Sequence, residues 1–285
     1  MVRERASPEA RVRRRVGIEL GEDVARALPV GFQRVGQVVV LRLPERLRPS
    51  FPSIGRAYLD ALGASAVLRH RGPASGDRRL PSLELLAGGS TEAEVLEHGV
   101  RFQLDVARVM FSRGNADERA RAGQVTRPGE TVVDLFAGIG YFVLPALVVG
   151  RAARAYAVEE NPDSYRYLLA NLARNGVEDR AEALLGDNRT ILLPTRSADR
   201  VFLGYLPSAV PWVPRALELV KPGATLHVHL LVDSTRDLAT AEEQVARALD
   251  SAGATVERVS ARRVKAYGPG RSHVVVDATV TPPGA

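Results

Sequence analysis

Glycine, acidic and amide residues follow the hydrophobic runs in the C-terminal half of this chain, at positions that suit nucleotide binding. The run TVVD (131–134) leads into a short glycine turn and then into an apolar segment compatible with a helix. Gly138 and Gly140 allow a ligand to approach the backbone closely, and they tolerate dihedral angles that side chains forbid. The pattern predicts the opening strand, turn and helix of a nucleotide-binding α/β sheet.

The residues after this turn favour S-adenosylmethionine over a dinucleotide as the ligand. A pyrophosphate-binding G-x-G-x-x-G turn places a third small residue after the second glycine, whereas this chain continues with Tyr141, Phe142 and Val143. Neighbouring aromatic residues suit an adenosyl group without phosphates. A purely structural strand, turn and helix remains the alternative.

Further candidate residues lie at the ends of later predicted strands, because a ligand in such a sheet lies across the carboxyl ends of the strands. Glu159 ends the second strand, where a carboxylate can accept hydrogen bonds from both ribose hydroxyls. Asp187 and Asn188 end the third strand, where they can either read an adenine edge or form an Asx turn. Asp134 is expected to support the turn or the amino group of the ligand, with a helix cap as the alternative.

The fourth predicted strand ends in LGYLPS (203–208). Amino-methyltransferases acting on adenine commonly carry Asn/Asp-Pro-Pro-aromatic there, whose amide or acid group bonds the target amine, so amine-directed methylation is disfavoured. The sequence shows no obvious general base. Tyr205 is a candidate for stacking on a target base and His98 for moving a proton, although packing or surface roles suit both residues as well.

The elements that position these residues follow a doubly wound α/β pattern from residue 130 to the C-terminus. The last two predicted strands form an antiparallel pair through the turn at 267–271. Three regions are predicted along the chain: a basic arm (1–15), a small mixed α/β domain (16–106) and a Rossmann-like catalytic domain (107–285). The predicted strands of the third region are 131–136, 154–159, 181–186, 199–205, 224–230, 255–264 and 273–281.

Composition restricts the class of protein and its partners. The net charge is +6 and the pI is near 10, with Lys221 and Lys265 as the only lysines, which favours a polyanionic partner. A solvated, arginine-rich surface is the alternative. Zero Cys and five scattered His predict no metal site. No apolar run reaches the roughly 20 residues that cross a bilayer, and the start lacks an apolar signal core, so we expect a cytoplasmic protein without a membrane partner.

Five segments together resemble the wybutosine-pathway tRNA 3-amino-3-carboxypropyltransferases, from about Pro29 to the end of the chain. The resemblance implies a class I adenosylmethionine fold, related to the tRNA guanine-N1 methyltransferases, with S-adenosyl-L-methionine as co-substrate. It also implies tRNA as the partner, with phenylalanine tRNA expected and the small N-terminal domain contacting it. The oligomeric state is not indicated. The segments are MFSRGN (110–115), DLFAGIGYF (134–142), EENP (159–162), GDNR (186–189) and LGYLPS (203–208).

The resemblance implies specific contacts with S-adenosylmethionine. Ser112, Arg119, Glu159 and the pair Asp187 and Asn188 correspond to the family's contacts, and Arg119 would hold the methionine carboxylate in a fork. One departure is Glu160, which stands where the family commonly has tryptophan or another hydrophobic residue.

The implied reaction transfers the 3-amino-3-carboxypropyl group to a modified guanine beside the tRNA anticodon and releases methylthioadenosine. The sister methyltransferases usually show Asn-Leu-Pro at the fourth strand end, so LGYLPS favours the aminocarboxypropyl branch. Two alternatives stay open. One is tRNA guanine-N1 methylation, and the other is a non-catalytic RNA-binding protein with a degenerate cofactor fold.

Overall fold

The computed structural model describes residues 7–72, 80–236 and 238–284. The chain divides into two compact units. The first unit comprises Met1–Val95 and Gln103–Phe111, and the second comprises Leu96–Phe102 and Ser112–Ala285.

The first unit is built on a four-stranded mixed sheet in the order β1-β2-β3-β4. Strands β2 and β3 are parallel, and the outer pairs are antiparallel. Helix α3 connects the two parallel strands, as a parallel pair requires. The elements are α1 (Pro8–Leu20), α2 (Glu22–Arg26), β1 (Gln33–Val35), β2 (Val38–Leu41), α3 (Phe51–Leu62), β3 (Ala66–His70) and β4 (Leu83–Gly88).

Residues 8–15, predicted as part of a mobile or weakly helical basic arm, form the first two turns of α1. The Ser7 hydroxyl caps this helix by accepting a hydrogen bond from the Ala10 amide at 3.1 Å. Val12 and Val16, one turn apart, are fully buried in the core of the first unit. A short apolar stripe therefore anchors the arginine-rich segment, and residues 1–6 of the predicted arm lie outside the described residues.

The chain forms a hairpin around His98 from β5 (Glu92–Glu97) and β6 (Val100–Asp105), which make a two-stranded sheet. Its two connecting residues, His98 and Gly99, have φ angles of 49° and 84°. Two successive positive φ angles are typical of the tight turns whose twist matches that of a hairpin. His98 is exposed at this turn.

The second unit contains a seven-stranded sheet in the order β12-β13-β11-β10-β7-β8-β9, and all seven predicted strands are present. Strands β11, β10, β7, β8 and β9 are parallel to one another, whereas β13 runs antiparallel to both β11 and β12. The strands are β7 (Thr131–Asp134), β8 (Arg154–Glu159), β9 (Ala181–Leu185), β10 (Ala198–Leu203), β11 (Val220–Asp233), β12 (Thr255–Ala266) and β13 (Arg271–Thr281). The helices are α4 (Ala116–Val125), α5 (Val143–Val148), α6 (Pro162–Arg174), α7 (Val213–Leu219) and α8 (Ala239–Ser251).

The strand order creates a topological switch point between β7 and β10. From β7 the chain builds outward through β8 to β9, and it then returns to place β10 on the other side of β7. Helices that leave the two central strands therefore diverge, and a crevice opens at the carboxyl ends of those strands. This is the edge at which the sequence places its candidate site residues.

The two faces of this sheet differ in chemistry. On one face, α7 and α8 pack against alternate residues of β11 and β13 in a continuous apolar core, which includes Val213, Val245, Leu226 and Val276. On the other face, buried polar side chains of the sheet meet charged residues of α4. The second face therefore carries an ionic network in place of a purely apolar core.

This ionic network ties α4 to the sheet. Arg121 of α4 forks onto Asp277 with N···O distances of 2.8 and 2.9 Å, and the Asp277 carboxylate accepts from His227 Nδ1 at 2.6 Å. Arg200 donates to His227 Nε2 at 2.7 Å and forks onto Glu130 at 2.9 and 3.0 Å. The two partners of the imidazole assign a neutral His227 with its proton on Nδ1.

Charge and burial reinforce this assignment. Burial and the neighbouring Arg200 and Arg121 cations lower the pKa of His227. Burial alone would raise the pKa of Asp277, but its bonds from His227 and Arg121 outweigh that effect and hold the pKa below its usual range. Glu118, an acidic residue of α4, is fully buried and pairs with Arg121 and Arg262. Paired charges therefore fix helix α4 against the sheet of the second unit.

Candidate functional site

The candidate site lies at the switch point of the second unit, where β7, β8, β9 and β10 end. Asp134 and Glu159 are the last residues of β7 and β8, and Asp187 follows β9 by two residues. Gly204 and Tyr205 directly follow β10. The structure therefore brings most of the predicted residues to one edge of the sheet.

The turn after β7 requires glycine at Gly138 and Gly140. Their φ angles are +57° and +103°, which other residues rarely adopt. A Cβ added at Gly138 would stand 2.4 Å from the Tyr141 ring, and one at Gly140 would stand 2.5 Å from the Leu144 side chain. The turn is thus packed against its own aromatic residue, and the Gly138 backbone is the part left to meet a ligand.

Glu159 faces this turn from the neighbouring strand. Its carboxylate accepts hydrogen bonds from the amides of Gly138 and Asn161, both at 2.7 Å. Burial raises the pKa of Glu159, although the bonds from these amides act in the opposite direction. Each carboxylate oxygen accepts more than one hydrogen bond, so an oriented Glu159 still suits the two hydroxyls of a ribose.

Asp134 is fully buried at the end of β7. Its Oδ1 accepts from the Phe136 amide at 3.1 Å, whereas its Oδ2 has no hydrogen-bond partner among the described residues. Burial raises the pKa of Asp134 to about 7, the Phe136 amide lowers it, and the charge of Glu159 raises it further. A buried acceptor without a partner is costly, and it suits a cationic donor on a ligand.

Asp187 forms the Asx turn that the sequence left open as one alternative. Asp187 is half-buried; its Oδ1 accepts from the Arg189 amide at 2.9 Å, and the Arg189 guanidinium forks onto the same carboxylate. Both bonds with Arg189 lower the pKa of Asp187. Asn188 donates to the Leu135 carbonyl at 2.6 Å and accepts from Trp212 Nε1 at 2.8 Å. The Asn188 side chain therefore holds Trp212 beside β7, and its adenine contact stays a prediction.

Trp212, which no sequence motif indicated, completes an aromatic cluster with Phe136 and Tyr205. Tyr205 stacks on Phe136 with 5.2 Å between ring centroids, and Trp212 lies 5.1 Å from Phe136 and 5.0 Å from Tyr205. All three rings are partly exposed at the carboxyl ends of β7 and β10. Partly exposed, mutually packed rings are suited to stacking on a planar base.

Phe142 forms the inner wall beside the end of β10. Its ring stacks on Phe202 at 5.4 Å and lies 5.0 Å from the ring of His229. A Cβ added at Gly204 would stand 2.7 Å from the Phe142 ring, so only glycine fits there. Burial lowers the pKa of His229 well below its usual value, which keeps this histidine neutral. The wall is therefore apolar and uncharged.

Arg119 has partners within the chain, and its contact with S-adenosylmethionine stays a prediction. It is buried on α4, where Nε and Nη2 lie 2.7 and 2.6 Å from Glu97 Oε2 and Nη1 donates to the Ser112 carbonyl at 3.0 Å. The predicted carboxylate fork is thus directed at a glutamate of the chain itself. The pairing is favourable because the Glu97 carboxylate, 22 residues earlier in the chain, would otherwise be largely buried without a counter-charge.

Ser112 instead faces a second cation that sequence reasoning missed. The Lys265 ammonium donates to Ser112 Oγ at 2.6 Å from strand β12. Tyr141 connects this region with the glycine turn: burial raises the pKa of its phenol, the Arg119 cation lowers it, and Glu159 raises it. No local sequence signal marks Lys265, because 153 residues separate it from Ser112.

His98 does not join the strand-end cluster. It lines a small cavity of about 50 Å³ together with Glu97, Phe102, Arg119 and Gln124. Among the described residues, no group of three or more His, Cys, Asp or Glu side chains is arranged to hold a metal ion. The described helices likewise include none that is long and apolar enough to cross a membrane.

The chain was compared with known families and structures. Residues 93–257 match the TRM5/TYW2 methyltransferase domain, and residues 12–91 match the TYW2 N-terminal domain. A tRNA(Phe) (4-demethylwyosine(37)-C(7)) aminocarboxypropyltransferase of Pyrococcus horikoshii is 38% identical over 271 residues, which are 95% of this chain and 96% of that protein.

Solved TYW2 structures also superpose on this chain. P. horikoshii TYW2 in complex with MeSAdo superposes with a TM-score of 0.85 at 36% identity, covering 96% of this chain and 99% of that one. Methanocaldococcus jannaschii TYW2 in complex with AdoMet superposes with a TM-score of 0.72 at 29% identity, covering 88% of this chain and all of that one.

Proposed function

Because this chain belongs to the TRM5/TYW2 methyltransferase family, we propose that it transfers the 3-amino-3-carboxypropyl group of S-adenosyl-L-methionine to a wybutosine precursor in phenylalanine tRNA. The observation that carries this proposal is the full-length match to an aminocarboxypropyltransferase, which includes an N-terminal domain of the TYW2 type. The acceptor is then C7 of 4-demethylwyosine at position 37, as in that relative's name. The confirmed family resemblance and fold make the enzyme a transferase with S-adenosylmethionine as co-substrate.

The end of β10 supports carbon as the acceptor atom. An enzyme that methylates a ring or exocyclic nitrogen benefits from a side-chain acid or amide aimed at that nitrogen. Leu203, Gly204 and Tyr205 present neither group at this position. An apolar strand end is compatible with attack by a base carbon, which needs stacking and orientation more than a hydrogen bond to the attacking atom.

Four residues fit the co-substrate. The glycine turn at Gly138 places its backbone beside Glu159, and the oriented Glu159 carboxylate suits the ribose hydroxyls. The unpartnered Oδ2 of Asp134 suits the ammonium group of the methionine part, and Ser112 lies beside the cations that suit its carboxylate. S-adenosylmethionine supplies a sulfonium with three displaceable carbons, and here the γ-carbon of the amino-acid arm is the one transferred.

The bond changes balance without a further reactant. A bond forms between C7 of the base and the γ-carbon, while the bond from sulfur to that carbon breaks and leaves neutral methylthioadenosine. The modified nucleobase then loses its C7 proton to water or to another nearby proton acceptor. Loss of the sulfonium charge is not opposed by the uncharged wall of Phe142, Gly204 and neutral His229.

The aromatic cluster of Phe136, Tyr205 and Trp212 receives the target base. Base stacking on such rings contributes about 1–3 kcal/mol. The net positive charge of the chain favours tRNA, and the first unit contributes contacts to tRNA. The protein acts in the cytoplasm, where its tRNA substrate resides.

The test is the mass of the modified nucleoside. The chain is incubated with S-adenosylmethionine and phenylalanine tRNA that carries 4-demethylwyosine, and the digested nucleosides are weighed. We expect the mass gain of an aminocarboxypropyl group and release of methylthioadenosine, with neither product when tRNA is omitted.

Two other outcomes correspond to the alternatives. With phenylalanine tRNA that carries an unmodified guanine as the substrate, a methyl mass gain and release of S-adenosylhomocysteine would make the chain a guanine-N1 methyltransferase. RNA binding with a steep salt dependence, but no heat of binding with S-adenosylmethionine, would indicate a non-catalytic RNA-binding protein.

A further inference from the structure

Trp212 is the only tryptophan of the chain, and two kinds of contact hold its indole at the strand ends. The indole lies 5.1 Å from Phe136 and 5.0 Å from Tyr205, measured between ring centroids. Its Nε1 donates to Asn188 Oδ1 at 2.8 Å. Phe136 follows β7 and Tyr205 follows β10, so these contacts place the indole at the switch point, where the crevice opens.

Asn188 is itself fixed against the end of β7. Its Nδ2 donates to the carbonyl of Leu135, the residue directly after that strand, at 2.6 Å. The Asn188 carbonyl accepts from Arg215 Nε at 3.2 Å, and Arg215 Nη2 donates to the Ile191 carbonyl at 2.6 Å. Arg215 lies on α7, three residues after Trp212. Hydrogen bonds therefore run in both directions between the loop after β9 and the start of α7, and the Asn188 amide links the end of β7 to the indole.

Ring packing alone leaves the orientation of the indole open. All three rings of the aromatic cluster are partly exposed, and contacts between aromatic rings tolerate a range of angles. A hydrogen bond restricts the indole further, because its N–H donor lies in the ring plane and must point at the Asn188 oxygen. The amide thus determines the angle at which Trp212 packs in the cluster.

We propose that Asn188 is a positioning residue for the acceptor base, which it orients through Trp212. The base stacks on the aromatic cluster, and the Asn188 amide holds the indole at the angle that this stacking needs. Asn188 touches neither the base nor the reacting carbon in this role. The identity of the base rests on the proposed function, whereas the bond between Asn188 and the indole does not.

A double-mutant cycle separates this role from a direct contact between Asn188 and adenine. Trp212→Phe keeps an aromatic ring and removes the indole N–H. If Asn188 acts through that N–H, Asn188→Ala should have little further effect in the Trp212→Phe variant. A direct contact with adenine does not involve the indole, so its loss would have the same effect whether residue 212 is tryptophan or phenylalanine.

The cycle is measured as kcat/KM for phenylalanine tRNA that carries 4-demethylwyosine, at saturating S-adenosylmethionine. We expect Asn188→Ala to lower kcat/KM roughly 3- to 10-fold, the loss typical of one hydrogen bond, but less than about 2-fold when Trp212→Phe is also present. Asn175→Ala is the matched control and should leave kcat/KM unchanged. The Asn175 amide also donates and accepts, but it bonds the Arg101 backbone at the C-terminal end of α6, away from the strand ends.

Tryptophan fluorescence tests the hold on the indole without any reaction. Because Trp212 is the only tryptophan, no other indole contributes to the signal. We expect acrylamide to quench Trp212 more readily in Asn188→Ala than in the parent, and we expect tRNA to protect the parent indole from quenching. Thermal unfolding of each variant shows whether a change reflects the fold. Trp212→Phe alone should lower kcat/KM by a similar factor, and it keeps the test valid if Asn188→Ala is unstable.

Three results would overturn the proposal. They are equal effects of Asn188→Ala with either residue at position 212, no effect with either, and protection of the indole by S-adenosylmethionine alone with none added by tRNA. The last result would assign the aromatic cluster to the co-substrate. If the parent transfers no aminocarboxypropyl group, the proposed function is refuted, and protection of Trp212 by tRNA then decides this proposal by itself.

Discussion

Asp134→Asn is the substitution whose effect on stability can be worked out most fully. The amide keeps an oxygen for the Phe136 amide hydrogen bond and removes only the charge. Burial raises the pKa of Asp134 from its ordinary 3.8 to about 7, so the folded protein holds this proton more tightly than the unfolded chain. Between these two values the folded state therefore binds more protons, and the free energy of unfolding falls as pH rises.

The size of the effect follows from the same two values. A rise of the pKa from 3.8 to about 7 corresponds to about 4 kcal/mol of unfolding free energy, all of it lost above pH 7 and none below about pH 4. Asp134→Asn has no titrating group at this position, so its free energy of unfolding does not fall in this way. At pH 8 we expect Asp134→Asn to be more stable than the parent by up to about 4 kcal/mol, and at pH 4.5 by much less.

Urea unfolding of both proteins without ligand, at several values between pH 4.5 and 8.5, measures this difference. Titration of other groups cancels because the parent and variant are compared at each pH. Glu160→Gln, which removes an exposed carboxyl beside the site, is the control and should give no such gain. A difference between Asp134→Asn and the parent that stays constant over this pH range would refute the reasoning. The same variant should bind S-adenosylmethionine more weakly, since a buried anionic acceptor is lost.

Substitutions at four further residues test other parts of the structure. Gly204→Ala should destabilise the fold by about 1–3 kcal/mol in urea unfolding, because its Cβ would press on the Phe142 ring; an unchanged midpoint would contradict the packing described. Asp277→Ala should cost about 3–5 kcal/mol, since it removes the carboxylate that Arg121 and the buried His227 share, and a loss below 1 kcal/mol would show that the network is dispensable. Tyr205→Ala should lower kcat/KM for tRNA by roughly 10-fold or more while Tyr205→Phe retains it, because stacking needs the ring and not the hydroxyl. Trp212→Ala should behave like Tyr205→Ala with unchanged S-adenosylmethionine affinity, and a selective effect on S-adenosylmethionine would exclude a role in base stacking.

The sheet and the family were readable from the sequence because their signals are local. The central strands β7, β8 and β10 are short, largely apolar runs that end in an acidic residue or are followed by glycine, and such runs need no knowledge of distant partners. The same locality placed Asp134 and Glu159 at one edge. The arginine-rich N-terminal segment gave little indication of helix α1, because only Val12 and Val16 form its buried apolar stripe.

Side-chain partners across long sequence separations could not be predicted. No local signal indicated that Arg119 pairs with Glu97. None indicated that Asn188 bonds the Trp212 indole, 24 residues away. Lys265 gave no signal for the same reason: residue type and spacing report which face a side chain occupies, not which distant charge it meets.

The outermost strands of the seven-stranded sheet, β9 and β12, are charged where they face solvent. Glu182 is exposed on β9, and Arg258 and Arg263 are exposed on β12. Unpaired edge strands are templates for intermolecular β-pairing, and exposed charges on them oppose it. The sheet can therefore end at two open edges, one of them formed by a twelve-residue strand, without inviting aggregation.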